Sequence, residues 1–414
     1  MNIMDEFYLD GIPRMSFGAG KFLESGEIIS SAGFSGKKAL VVTGRSFAKS
    51  SGTLSKLTEM LSSAGINSAV FSSVSPNPLS SEADEGAKFF NDNECDFAIG
   101  LGGGSAMDVA KAISAVAASG GDVWEYIDFW SGNKMKALTR AYPIVTIPTR
   151  YGSGAEVSPF AVLTDGEKRE KSILTSDLIL PDLAIVDPEF CVTLDSENVA
   201  YGITDVLSHL LDTYISGENG SDVADSLTES LVYELVKNGF KAMEDLKNIR
   251  YHENIFYISM LALTGITQVG RQGDFVLHDL EHPLSAHFNI PHGLGLGALF
   301  PHLMKFSYEA AASRYSRLYR HVFKRLIDND EAAFENFRVT DDEEEMARSA
   351  VYCFEEFLKI LGTFKKLGPF GMTAEGIERM ANDVIRLYGQ GKLYINNPKK
   401  LRYSDIMEIY EKLI

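Results

Sequence analysis

Residues 97–118 read FAIGLGGGSAMDVAKAISAVAA, which is an apolar run, a glycine cluster and then a longer stretch with helical spacing. This order predicts a buried strand, a tight loop and a helix, because glycine permits a sharp turn and a close approach of the backbone. The first turn of such a helix offers unpaired N–H groups and the positive end of the helix dipole. The stretch is therefore suited to a pyrophosphate. It lacks the G-x-G-x-x-G spacing, however, and a purely structural turn explains the glycines equally well.

Around this stretch, short apolar runs alternate with helical patterns from about residue 35 to residue 190. The pattern predicts strands at 38–43, 68–71, 97–100, 144–148 and 183–187, a hairpin across 160–174, and helices at 47–64, 80–92 and 104–118. Strands that alternate with helices indicate a parallel sheet with crossover helices. From about residue 195 helical spacing dominates, with helices expected at 199–216, 221–243 and 254–268. We therefore predict a Rossmann-like α/β domain at residues 1–190 and an all-α domain at residues 191–414.

The composition excludes several classes of partner. The chain has 414 residues and a formal net charge of −18, which disfavours nucleic acid and anionic membranes because both need a basic surface. No apolar run approaches the roughly 20 residues that a membrane helix needs. The first eleven residues lack the basic flank and apolar core of a secretion signal. Three scattered cysteines do not make a disulfide framework, so we expect a cytoplasmic protein.

The end of the first predicted strand bears on the choice of nucleotide. In a dinucleotide-binding fold, an acid at this point binds the 2′-hydroxyl of NAD and repels the 2′-phosphate of NADP. Here the sequence is Thr43-Gly44-Arg45-Ser46, which contains no acid. Arg45 is placed to accept a phosphate, which favours NADP weakly. The alternative, that Arg45 is an exposed loop residue without a ligand, stays open.

A cluster of histidines predicts a metal site in the second domain. Asp205 and His209 have i,i+4 spacing, which puts both side chains on one face of a helix. Four of the eight histidines fall within fifteen residues: His278, His282, His287 and His292. The first two repeat the i,i+4 spacing, and His292 follows Pro291 at a predicted helix start. Imidazole and carboxylate are ligands that divalent transition metals take. Because His287 and His302 lack a partner at ligand spacing, we expect structural roles for both.

A metal and a nucleotide in one chain narrow the chemistry. A metal beside a nicotinamide polarises an alcohol oxygen and lowers its pKa, so that a hydride can pass to C4 of the cofactor. Two other classes remain open on these residues alone. One is a metal-dependent hydrolase, in which the glycine loop is incidental, and the other is a non-catalytic nucleotide-binding protein.

The chain resembles the iron-dependent alcohol dehydrogenases and looks closest to their butanol dehydrogenase-like branch. Three motifs carry the resemblance, in order along the chain. Gly102-Gly-Gly-Ser-Ala-Met-Asp108-Val-Ala-Lys111 is similar to G-G-G-S-x-x-D-x-x-K, and Pro148-Thr-Arg-Tyr-Gly152-Ser-Gly-Ala-Glu156 is similar to P-T-T-x-G-T-G-S-E. The third motif joins Asp205-Val-Leu-Ser-His209 with His278-x-x-x-His282-Pro283 and Pro291-His292-Gly293.

The resemblance implies roles for individual residues. It implies that Asp205, His209, His278 and His292 bind the metal, and that His282 lies near cofactor and substrate as a catalytic group without binding metal. The implied cofactor-binding residues are Gly44, Ser46, Asn77, Gly103, Gly104, Ser105, Asp108, Thr149 and Lys171. It also implies a short-chain primary alcohol or aldehyde as the substrate, and a homo-oligomer, most simply a dimer.

The resemblance leaves the metal and the nucleotide open. Iron (Fe2+) is its expectation, but histidine and carboxylate also suit Zn2+ and Ni2+, and the nucleotide is NADP or NAD. Arg150 stands where the motif usually has threonine, so it adds a cation near the cofactor phosphates or alters the loop. Phe160 occupies a position that is polar in some relatives. A zinc-dependent polyol dehydrogenase similar to glycerol dehydrogenase is the nearest rival, and the fourth ligand candidate, His209, favours the iron-dependent branch.

Overall fold

The structure is a computed structural model that describes residues 11–127, 135–217, 221–271, 273–329, 332–339 and 341–414. Our prediction of no secretion signal concerns residues 1–11, of which the first ten lie outside this range. Contacts divide the described chain into two compact units, Gly11–Thr193 and Leu194–Ile414. No helix of the described residues is both long enough and apolar enough to cross a membrane.

The first unit is built on a six-stranded parallel sheet. Its strands are β1 (Arg14–Phe17), β2 (Lys38–Gly44), β3 (Asn67–Val74), β4 (Phe97–Gly102), β5 (Ile144–Pro148) and β8 (Leu183–Val186), while β6 (Phe160–Asp165) and β7 (Glu170–Thr175) form a separate antiparallel hairpin. The helices are α1 (Ser25–Ile29), α2 (Phe47–Ser50), α3 (Thr53–Ser63), α4 (Ser80–Asp92) and α5 (Gly104–Ser119). The predicted α/β fold class is thereby confirmed for this unit.

The order of the strands indicates where we expect a ligand to bind. The sheet runs β1-β8-β5-β4-β2-β3, and every pair in it is parallel. From β2 the chain moves outward to β3 on one side, and from β4 it moves to β5 on the other side. Ligands of open α/β sheets bind outside the carboxyl ends of the strands at such a switch point. Gly44 and Gly102 end the two strands concerned.

The inner strands β2, β4, β5 and β8 are buried on both faces of this sheet, and their side chains alternate between the two faces. Leu40 and Val42 pack in the cluster that contains Ile113 of α5, whereas Val41 packs on the opposite face with Leu57 of α3. Fully buried strands read as continuous apolar runs, which is why the sequence located them well.

The second unit is helical. Its helices are α6 (Ser196–Ser216), α7 (Asp222–Glu244), α8 (Ile249–Leu263), α9 (Val276–Phe288), α10 (His292–Ser307), α11 (Ala312–Leu318), α12 (Lys324–Asp328), α13 (Glu343–Leu361), α14 (Ala374–Tyr388) and α15 (Tyr403–Glu411). Helix α6 begins where Asp195 accepts a hydrogen bond from the Asn198 backbone N–H at 2.8 Å. Nearly every residue from Val199 to Ile215 is buried, so α6 is the central helix of the unit. The predicted helical class is confirmed, apart from a two-stranded ladder of β9 (Tyr394–Ile395) and β10 (Leu401–Arg402).

Several local predictions were wrong. The helix predicted at 47–64 is two helices, because Gly52 has a φ of 73°, which no regular helix contains. The helix predicted at 254–268 begins at Ile249 and ends at Leu263, since Gly265 adopts a φ of 82°. The edge strand β1 was not predicted at all. Its partner β8 lies some 170 residues further along the chain, so no local pattern reveals the pairing.

Candidate metal centre and nucleotide loop

Three helices bring four candidate metal ligands together. Helix α6 carries Asp205 and His209 on one face, α9 carries His278, and His292 is the first residue of α10. The Oδ1 atom of Asp205 lies 3.6 Å from Nε2 of His209, 3.8 Å from Nε2 of His292 and 3.9 Å from Nε2 of His278. Donor atoms of Asp205, His278 and His292 all lie within 4.8 Å of one another. His209 joins this triad through Asp205 and stacks on the ring of His278, with centroids 4.7 Å apart.

These separations fit a shared metal ion better than hydrogen bonds. They exceed the 2.7–3.2 Å of an ordinary N–H···O bond. Four ligands about 2.1 Å from a tetrahedral zinc-like ion lie about 3.4 Å from one another. Among the described residues, Asp205 Oδ1 and His278 Nε2 are buried and have no hydrogen-bond partner. Buried polar atoms without a partner are costly, and a cation between them satisfies both.

Buried acids orient two of the imidazoles. Nδ1 of His278 donates to Asp212 Oδ2 at 2.8 Å, and Asp212 also accepts from the backbone N–H of Leu277 at 2.9 Å. Nδ1 of His292 donates to the fully buried Glu281. Because a carboxylate only accepts, each Nδ1 carries the proton, and each Nε2 presents its lone pair to the centre.

Glycine makes room for one of these acids. A Cβ at Gly295 of α10 would lie 2.8 Å from Oε1 of Glu281, closer than real Cβ contacts. The absence of a side chain at Gly295 therefore lets α10 approach α9 closely enough for Glu281 to reach His292.

The charges of the centre favour a cation. Burial raises the pKa of Asp205, but the imidazole of His209 and those of His278 and His292 lower it more, so the net pKa lies below its ordinary value. For His278, burial lowers the pKa, while the neighbouring acids Asp205 and Asp212 raise it to about 9 overall. The lowered pKa keeps Asp205 ionised, and a carboxylate in this form can bind a cation.

The remaining histidines of α9 differ from the ligand candidates. The His282 ring stacks near His292 with centroids 6.0 Å apart, and its Nδ1 lies 3.2 Å from the Tyr388 hydroxyl. His282 stays outside the compact triad. Nε2 of His287 lies 2.7 Å from Asp383 Oδ2, a contact that ties α9 to α14. This contact is the structural role that we expected for His287.

In the first unit, the glycine loop contacts the segment that follows β5. The backbone N–H of Thr149 donates to Gly102 O at 2.9 Å. A Cβ at Gly103 would lie 2.8 Å from Nε of Arg150, and one at Gly104 would lie 2.8 Å from Oγ of Ser153. A side chain at either position would have to displace a neighbouring side chain, so glycine lets the loop expose its backbone at the start of α5 with the Arg150 guanidinium beside it.

The structure gathers some predicted nucleotide residues and separates others. Gly103, Gly104 and Thr149 lie at the carboxyl ends of the neighbouring strands β4 and β5. Ser105 Oγ donates to Pro76 O, which ties the loop containing Asn77 to the start of α5. Gly44 ends β2, and Ser46 is exposed just beyond it, whereas Asp108 and Lys171 are buried.

Lys111, which ends the glycine-loop motif, is fully buried. Its Nζ donates to Ser158 O at 2.8 Å and to Phe160 O at 2.7 Å. Burial lowers the pKa of Lys111 to about 8, against the nearby acids Asp108 and Glu156. The lysine of the glycine-loop motif therefore binds helix α5 to the start of the hairpin.

Arg45 has protein partners. Its Nε donates to Ser73 O at 2.9 Å, and its Nη2 lies 3.3 Å from Oε1 of Glu82. Glu82 is buried at the start of α4, where it also accepts from the backbone N–H groups of Ser75 and Leu79. The guanidinium charge is thus matched by a fixed carboxylate.

Sequence reasoning missed three residues of the site: Asp212, Glu281 and Tyr388. Asp212 lies seven residues after Asp205, a spacing that returns to the same face of α6. The sequence therefore contained a signal that could have identified Asp212. Glu281 directly precedes His282 and looks like an ordinary helical acid, and Tyr388 is 106 residues from His282.

A parallel-sheet unit with a glycine loop and a helical unit with a candidate metal centre are the two parts that a metal-dependent dehydrogenase requires. Residues 13–188 match the family described as iron-containing alcohol dehydrogenase, and residues 199–414 match the C-terminal domain of the Fe-containing alcohol dehydrogenase family. The chain belongs to the iron-containing alcohol dehydrogenase family. It is accordingly a metal-dependent alcohol dehydrogenase that uses a nicotinamide nucleotide.

Relatives cover the chain almost completely. It is 30% identical over 374 residues to probable NADH-dependent butanol dehydrogenase 1 of Bacillus subtilis, covering 90% of this chain and 91% of that one. It is 28% identical to NADH-dependent butanol dehydrogenase A of Clostridium acetobutylicum, with coverages of 96% and 97%. The crystal structure of NADH-dependent butanol dehydrogenase A from Thermotoga maritima superposes with a TM-score of 0.88 at 27% identity, over 100% of both chains.

Proposed function

We propose that this enzyme interconverts a short-chain primary alcohol and its aldehyde with NAD(H), using a metal held by Asp205, His209, His278 and His292. The single observation that carries the proposal is the convergence of three imidazole Nε2 atoms on one buried carboxylate oxygen. The names of the B. subtilis and C. acetobutylicum relatives support butanol or a similar alcohol as the substrate.

The residues in and around the metal centre have different roles. A divalent metal held by these ligands would supply positive charge that lowers the pKa of an alcohol hydroxyl. Asp212 and Glu281 keep the imidazoles of His278 and His292 in the tautomer that leaves Nε2 unprotonated. His282 takes up the alcohol proton.

The glycine loop takes the pyrophosphate of the nucleotide. Gly103, Gly104 and Ser105 offer backbone groups at the start of α5, where the helix dipole favours an anion. The side chain of Arg150 adds a cation beside this loop. The roles of Gly44, Ser46, Asn77, Asp108, Thr149 and Lys171 as cofactor contacts remain predictions from the motifs.

NAD(H) is the nucleotide that we propose, although the sequence favoured NADP weakly. That preference depended on an Arg45 available for the 2′-phosphate. In the structure Arg45 contacts Glu82 and Ser73. A 2′-phosphate bound here would compete with the Glu82 carboxylate for the Arg45 guanidinium. It would also lie close to the negative charge of that carboxylate. The names of the relatives above also specify NADH.

Iron (Fe2+) is the proposed metal, with Zn2+ or Ni2+ as substitutes that the same ligand types accept. A cytoplasmic homodimer remains our prediction for the assembly, and light scattering of the purified protein tests its oligomeric state.

One experiment tests this function directly. Protein stripped of metal is reconstituted separately with Fe2+ without air, Zn2+ and Ni2+, and each sample is tested with NADH and NADPH against short straight-chain aldehydes. The metal content of every sample is measured. We expect the fastest turnover for NADH with the iron-loaded protein. Absence of turnover in every combination, with metal bound, refutes the proposed function.

A further inference from the structure

Tyr388 joins His282 to a polar pocket of the helical unit. Its hydroxyl lies 3.2 Å from Nδ1 of His282, and the two rings are 5.8 Å apart between centroids. Tyr388 is the last residue of helix α14. About one turn earlier in the same helix, Asp383 contacts His287 and so holds α14 against α9. The geometry therefore fixes which ring nitrogen of His282 meets the tyrosine.

Tyr388 also lines a pocket of about 20 Å³, together with Asp274, Asp279, Gln390 and Lys392. A cavity needs roughly 10–15 Å³ and several polar partners to hold one water molecule. The pocket has the required volume, and most of the residues that line it are polar. Tyr388 thus contacts His282 through its hydroxyl and also lines a pocket large enough for a water molecule.

We propose that Tyr388 is the positioning residue for His282 and carries the alcohol proton from that histidine to water in the polar pocket. This inference rests on the proposed function. In alcohol oxidation the hydride takes two electrons to the nucleotide, while the O–H proton passes to Nε2 of His282. The Nδ1 proton of His282 then moves to the tyrosine oxygen, which releases its own proton to water. Aldehyde reduction uses the same route in reverse.

The surroundings suit a relay through a neutral hydroxyl. Burial is the main cause that raises the pKa of Tyr388 well above its ordinary value, and the nearby acid Asp279 adds to the effect. A tyrosine that stays neutral gives up one proton as it receives another, and no charge accumulates in the buried space.

Tyr388→Phe tests the proposal, because it removes the hydroxyl and keeps the ring. We expect kcat for alcohol oxidation to fall about 10- to 100-fold, within the range for loss of a proton-transfer group. The solvent isotope effect should rise, and the primary isotope effect with deuterated alcohol should shrink, because proton transfer becomes rate-limiting. Metal content, melting temperature and the Kd for NADH should stay unchanged.

Tyr410→Phe is the matched control. Tyr410 also contacts α9, but its hydroxyl donates to the backbone oxygen of Leu280 at 2.6 Å and not to His282. We expect wild-type kcat and isotope effects from it. If Tyr388→Phe keeps kcat and the solvent isotope effect within twofold of wild type, the proposal is overturned.

A second readout does not depend on turnover. In metal-free protein labelled with 15N-histidine, the Nδ1 signal of His282, assigned by its loss in His282→Gln, should move in Tyr388→Phe but not in Tyr410→Phe. An unchanged signal in Tyr388→Phe contradicts the positioning role. Failure of wild type to oxidise any alcohol counts against the proposed function instead, and the histidine signal then decides on Tyr388.

Discussion

Nε2 of His278 lies 3.9 Å from Oδ1 of Asp205, and these two buried atoms have no hydrogen-bond partner among the described residues. Each belongs to a side chain that is fixed elsewhere: His278 through its Nδ1 to Asp212, and Asp205 through its place on the central helix α6. The two atoms are therefore held at a separation that allows a cation to bind between them.

The first prediction concerns Asp212, which holds His278 without being a ligand candidate. Replacing Asp212 with Asn weakens the hydrogen bond that orients the imidazole, and outer partners of this kind typically contribute 10- to 100-fold in metal affinity. We expect a loss of that size, measured by competition with a chelator of known affinity. The control is Asp383→Asn, which removes the acid partner of His287, a histidine outside the centre. Equal metal affinity in Asp212→Asn and wild type argues against the assigned site.

The second prediction concerns Arg150, whose guanidinium lies against Gly103. Arg150→Thr, which restores the residue usual in this motif, removes a cation from the proposed pyrophosphate site. We expect the Kd for NADH to rise about tenfold or more, since charged hydrogen bonds contribute about 1.5 kcal/mol or more. Arg140→Thr, at an exposed position in the same unit, controls for the change in net charge. If Arg150→Thr and Arg140→Thr have the same Kd for NADH, Arg150 does not contact the phosphates.

The third prediction concerns the choice between the two nucleotides. Glu82→Gln removes the charge that Arg45 faces and leaves the guanidinium for a 2′-phosphate. We expect kcat/KM for NADPH, relative to NADH, to rise severalfold. A loss of about 1 kcal/mol in stability should accompany it, because Glu82 also accepts backbone N–H groups at the start of α4. Glu85→Gln, one turn further and exposed, is the control. An unchanged nucleotide ratio in Glu82→Gln shows that Arg45 is not positioned for the 2′-phosphate.

The fourth prediction concerns acid stability and His302, which packs against Phe364 with ring centroids 5.4 Å apart. Burial is the main cause that lowers the pKa of His302 to about 4, and the nearby lysines lower it further. The unfolded chain takes up a proton near pH 6.5, and the folded protein does so only near pH 4. Stability from this residue is therefore present above pH 6.5 and lost as the pH falls towards 4.

Because His302 is partly exposed, the loss expected at pH 4 is about 1–2 kcal/mol after allowance for solvent screening. His302→Gln removes this proton uptake. The fall in melting temperature between pH 7 and pH 4.5 should consequently be smaller in the variant than in wild type. Parallel melting curves for the two proteins across this range contradict the prediction.

The sequence predicted the features whose signals are local. Buried parallel strands appear as apolar runs, and the i,i+4 pair Asp205–His209 appears on one helix face. Family motifs then separated His292 from His287, which spacing alone did not. Features that depend on tertiary contacts were out of reach, such as the pairing of β1 with β8 and the approach of Tyr388 to His282. The burial of Lys111 belongs to the same group, because its carbonyl partners come from a segment some 50 residues away.

The two buried acids behind the ligand candidates, Asp212 and Glu281, have a consequence for oxidation state. Each places a negative charge next to an imidazole of the centre, and negative charge stabilises a trivalent ion relative to a divalent one. A ferrous ion in this centre should therefore be oxidised readily by air, whereas zinc has a single oxidation state. The lifetime of activity in an aerated solution becomes a practical indicator of which metal a preparation carries.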